Sequence, residues 1–115
     1  MIKYSFMKQS EVLNAYRVLG EAKNVEVGEM IKVYNFRKVA RPHVESFEAY
    51  IRDVQNGFDA LSDEDKRVVN KAVEDELNKE VEFEFEKLKI ETIADAVKES
   101  GLKAGAMEAF GWLME

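Results

Sequence analysis

The chain has 115 residues, 35% of them charged and 46% hydrophobic, with a formal net charge of −6 at pH 7. That length makes one domain, 1–115, able to bury roughly 65% of its unfolded surface without covalent staples. The absence of cysteine excludes disulfides, thiolate nucleophiles and cysteine zinc sites. The acidic balance argues against duplex nucleic acid as a partner, and no apolar run approaches the ~20 residues of a membrane helix.

Ile2, Tyr4 and Phe6 alternate with Lys3 and Ser5, which predicts a short strand over Ile2–Phe6. Ser10 is the expected N-cap of a first helix carrying Val12, Leu13, Tyr16 and Leu19 and stopping at Gly20. Glu21 to Gly28 reads as a loop. Val33, Phe36, Ala40, Val44, Phe47, Ile51 and Val54 then recur at steps of three and four, the stripe of a long helix over Glu29–Gln55. Pro42 lies inside that stripe and predicts a bend, or two helices meeting near Arg41. Asn56-Gly57 ends the element.

Ser62 opens another helix with Asp63, Glu64 and Asp65 in its first turn, where carboxylates meet the helix dipole favourably. Its buried side is expected at Val69, Ala72, Val73 and Leu77. In Val81–Ile90, Val81, Phe83 and Phe85 alternate strictly with Glu82, Glu84 and Glu86, the pattern of a strand with one buried and one wetted face. At Glu86-Lys87 the apolar phase shifts to Leu88 and Ile90, which marks a bulge or the strand's end. Lys3 is placed to pair across to the glutamate face. A short helix over Thr92–Ser100 closes at Gly101, and a last helix carries Ala104, Ala106, Met107, Phe110, Leu113 and Met114. The fold class is α+β: four to five helices packed on a small two-stranded sheet that helices cover or a second copy extends through an exposed edge.

No catalytic or cofactor motif stands out. His43 is the only histidine, so histidine triads and two-histidine metal sites cannot form within one chain. The acidic clusters lack calcium-loop spacing, and no metal site is expected. The carboxylates all fall on expected polar faces, so no buried one is anticipated for acid–base work. Gly101 to Gly105 lacks the spacing of a phosphate-cradling loop and reads as a helix stop followed by a start.

The chain is electrically polarised. From Met30 to Val44 the charged residues are Lys32, Arg37, Lys38 and Arg41, with no acid among them, whereas acids dominate from Asp59 to Glu86. Arg37 and Arg41 are four apart on one helical face, with Tyr34 and Lys38 alongside. Arginine forks suit phosphate or carboxylate, which makes these four residues the candidate anion-binding set. The same face can instead be solvated, with Arg41 paired to Glu45, or can meet the acidic half of a second copy.

The segments NFRKVARPHVESFEAYIRD and NKAVEDELNKEVEFEFEKLKIETI, with the ending GAMEAFGWLME, resemble small proteins encoded by bacteriophages and prophages. The resemblance implies a phage protein in the cytoplasm of a bacterial host that acts by binding, as an assembly factor or an inhibitor of host defence. It transfers no functional residues. The expected function is therefore non-enzymatic protein–protein interaction, in a homo-oligomer and without a cofactor. The alternative is capture of a small anion such as a nucleotide signal through Tyr34, Arg37, Lys38 and Arg41.

Overall fold

Two strands separated by residues 9–79 are the frame on which the helices are hung. The computed structural model describes residues 2–115; the side chains of residues 2–6 and of Phe83 lie outside what is described. In chain order come β1 (Ile2–Lys8), α1 (Gln9–Leu19), α2 (Val27–Val54), a 3₁₀ turn at Phe58–Ala60, α3 (Asp63–Asn78), β2 (Glu80–Glu86), α4 (Ile90–Glu99) and a 3₁₀ segment, Ala104–Leu113. The architecture is α+β, as expected.

β1 and β2 pair antiparallel from Ile2 opposite Glu86 to Lys8 opposite Glu80. The ladder is pinned where it runs into helix: the Gln9 N–H donates to the Lys79 carbonyl at 2.9 Å. The buried Gln9 side-chain amide donates to the Glu76 carbonyl at 3.2 Å. This junction fixes the register and overturns the expected Lys3 pairing. Lys3 stands opposite Phe85, and Glu82, Glu84 and Glu86 stand opposite Phe6, Tyr4 and Ile2. On β2, Val81 and the buried Phe85 face the core.

Several helix ends follow their sequence signals. Ser62 Oγ accepts the Asp65 N–H at 3.1 Å, capping α3. Gly57 and Gly101 both take φ of 74°, the left-handed region that a side chain would strain. After α4 the Leu102 N–H reaches the Val97 carbonyl and the Gly101 N–H that of Lys98, the paired bonds of a Schellman ending. Other ends differ. Ser10 is not the N-cap of α1; Lys8 is, and its N–H donates to the Glu11 carboxylate at 3.0 Å. β2 stops at Glu86, so the phase shift marks the strand's end and not a bulge.

The long helix is unbroken across Pro42. Pro42 is exposed, so the Lys38 carbonyl that loses its helical donor lies on the side open to solvent, and the buried stripe through Ala40 and Val44 is undisturbed. The last helix is 3₁₀ and not α. Gly105 and Gly111 within it remove side chains and add backbone entropy, which weakens an α-helical segment.

The main core joins Val12, Ala15 and Leu19 of α1 to Phe36 of α2, Phe85 of β2, Ile93 and Val97 of α4, and Phe110 and Leu113. Phe85 meets Trp112 edge-on at 5.3 Å and Phe36 at 6.4 Å. Leu88 is clamped from both sides: its N–H donates to the Leu113 carbonyl at 2.8 Å, and its carbonyl accepts the Glu115 N–H at 2.9 Å. A smaller cluster of Leu13, Val44 and Phe47 holds α3 through half-buried Val73 and Leu77. No residue of α3 is fully buried, so its expected core side is a half-covered one.

Candidate functional site

Position along α2 decides which basic residues are available. The buried stripe runs through Glu29, Val33, Phe36, Ala40, Val44 and Phe47. On the opposite face, 100° per residue brings Val27, Ile31, Tyr34, Lys38 and Arg41 into one ridge. Val27, Ile31 and Tyr34 are 78%, 55% and 63% exposed, and Lys38 and Arg41 are exposed as well. Apolar groups at one end and cations at the other make the ridge amphipathic along its length.

Arg37 lies off this ridge and belongs to the fold. Its Nε donates to the Tyr16 carbonyl at 3.1 Å, one of the last four carbonyls of α1, which have no helical donor. Its guanidinium carbon sits 4.1 Å from the centre of the Tyr16 ring, within cation–π range. A cation against a helix C-terminus also complements the dipole. The approach uses Gly20, where a Cβ would stand 2.9 Å from the Arg37 terminal nitrogen. Arg41 Nε reaches the Tyr16 hydroxyl at 3.4 Å. The four sequence candidates thus divide: Tyr34, Lys38 and Arg41 face outward, while Arg37 fastens α1 to α2.

One functional-looking carboxylate escaped the sequence reading. Glu29 is buried, at 4% exposure, contrary to the expectation that every carboxylate is on a polar face. Its Oε1 accepts the Lys89 N–H at 2.7 Å and the Thr92 hydroxyl at 2.8 Å, and Lys32 Nζ lies 3.1 Å from Oε2. Burial pushes its pKa up, but the Lys89 N–H, the Thr92 hydroxyl and Lys32 outweigh burial and hold it below the usual value. Glu29 is a cap for the N-terminus of α4 supplied from another helix. It borders a cleft of about 490 Å³ with Glu26 and Glu91, yet a carboxylate held ionised this way is no general acid near neutral pH.

Asp95 does the same for a loop. Its Oδ2 accepts the Lys23 N–H at 2.8 Å and the Asn24 N–H at 3.1 Å, and these bonds hold its pKa below the usual carboxylate value. His43 is half-buried on α2. Among the described residues no group of three histidine, aspartate or glutamate side chains is placed to hold a metal ion, and no helix is long and apolar enough to cross a membrane.

Compared with known proteins, the chain matches no family model, no curated protein and no solved structure.

Proposed function

We propose that the protein acts without catalysis by binding another protein through the α2 ridge, in the bacteriophage setting that its sequence pattern implies. The observation that supports this reading is the row of exposed Val27, Ile31 and Tyr34 on the helix face opposite the core. A single exposed apolar side chain needs no explanation, whereas three in register on one face make a patch. The partner it suits presents an apolar groove flanked by carboxylates, which Lys38 and Arg41 meet at the end of the ridge. Helix-in-groove recognition reads anchors at this spacing.

The test is capture from bacterial lysate by immobilised wild type beside an Ile31→Glu, Tyr34→Glu double variant. A protein retained by the wild type and lost from the variant is expected, with both chains melting within a few degrees of each other. Identical captures overturn the reading. Thermal unfolding against mono-, di- and cyclic nucleotides forms the second arm. A stabilisation lost in Lys38→Glu, Arg41→Glu would assign the ridge to an anionic small molecule instead.

A further inference from the structure

The outer edge of β1 has no strand beside it among the described residues, and the hydrogen-bond phase of the ladder tells which backbone groups that edge offers. In an antiparallel pair, alternate residues exchange both bonds with the neighbour, and the residues between them direct N–H and C=O outward. The Gln9 N–H bonded to Lys79 sets that phase. Met7, Ser5 and Lys3 therefore bond to Val81, Phe83 and Phe85, while Lys8, Phe6, Tyr4 and Ile2 point away from β2. The Lys8 N–H is taken by Glu11. No third strand joins the sheet among the described residues, and the sheet order is simply β1-β2.

The outward positions left are Ile2, Tyr4 and Phe6, a set symmetric about Tyr4. We propose that β1 pairs antiparallel with β1 of a second copy about a twofold axis at Tyr4, giving a four-stranded sheet in order β2-β1-β1-β2. Tyr4 then stands opposite Tyr4 of the second copy, Ile2 opposite its Phe6, and Phe6 opposite its Ile2. Each of these pairs exchanges both hydrogen bonds, so every outward backbone group is used. Lys3 falls opposite Ser5, so no cation opposes a cation. Sliding the pair one step, to a centre at Ser5, sets Ile2 against Lys8, whose N–H is already spent. Two of the usual guards of a free edge are missing from the strand: it contains no proline, and its seven register pairs run without a bulge.

The surface is separate from the α2 ridge and its test is independent. Sedimentation of the wild type is expected to give a concentration-dependent species of twice the 13.2 kDa chain mass. Tyr4→Lys, which sets lysine against lysine across the axis, should raise the dimer dissociation constant roughly tenfold or more without changing the monomer's far-ultraviolet dichroism. Tyr4→Pro removes a donor that β2 does not use and should have the same effect. Amide exchange reads the phase directly. Lys3, Ser5 and Met7 are protected at every concentration, and Tyr4 and Phe6 gain protection only as the chain is concentrated. A chain that stays at its own mass up to millimolar concentration, or a dimer that neither variant weakens, overturns the proposal.

Discussion

Two regions of the molecule use the same kind of sequence and reach different depths of burial. Around Phe36, four elements and the 3₁₀ segment converge, and Leu88 and Leu113 are wholly shielded. Farther along the same helix, half-buried Ile51 packs on the small cluster of Leu13, Val44 and Phe47, which α3 covers with Val73 and Leu77 that stay half-buried themselves. The apolar stripe of α2 runs through both regions with an unchanged period. What differs is the number of elements that come to cover it. Periodicity reports which face of a helix is apolar; other segments decide how far that face is closed. The result is elongated, 51 × 29 × 20 Å, with a radius of gyration of 16.1 Å against about 13 Å for a compact domain of this length.

The comparison is broken most severely by truncation in the two clusters. Phe36→Ala should cost about 3–5 kcal/mol, whereas Phe47→Ala, in the thin cluster that can collapse around the gap, should cost about 2 kcal/mol. Urea unfolding measures both, and equal losses would mean that the smaller cluster is packed as firmly as the main core. The next effect belongs to Glu29. Glu29→Ala leaves the Lys89 N–H and the Thr92 hydroxyl without their acceptor and should cost about 2 kcal/mol. Its native pKa lies below the ordinary glutamate value, so its contribution is fully present above that ordinary value. It is lost as pH falls through the depressed native value. Stability measured from pH 7 down to pH 2 should therefore fall less steeply in Glu29→Gln than in wild type. The smallest effect sharpens the joint between α1 and α2. Arg37→Ala should cost about 1 kcal/mol, from a lost helix-end hydrogen bond and a cation–π contact. Gly20→Ala, which displaces the same guanidinium, should cost no more.

Local signals carried much of the fold. Strict alternation located β2, Ser62 marked the start of α3, and Gly57 and Gly101 sit where a positive φ is required. Features set by distant partners were not legible. Glu29 is indistinguishable from any glutamate in a first helical turn until Lys89 and Thr92, sixty residues on, arrive at it. The register of the sheet hangs on Gln9 meeting Lys79, so a period of two could not say which row of β1 faces the glutamates. Of the basic set, spacing put Arg37 and Arg41 on one helical face with Tyr34 and Lys38 alongside, whereas Arg37 is turned to Tyr16 and off the outward ridge. Spacing could not show that Arg37 is engaged by the end of α1, because the acceptor is a backbone carbonyl, which leaves no mark in sequence.

The pairing of β1 with β2 also sets a timetable. At about 5–20 residues per second of synthesis, the stretch between Lys8 and Glu80 takes on the order of 4–14 s to make. For that interval β1 leaves the ribosome with no strand to join, and Leu113, which shuts the main core over Leu88, emerges later still. The nascent chain can form α1 and α2 early but must keep its first strand from other partners until β2 has been made.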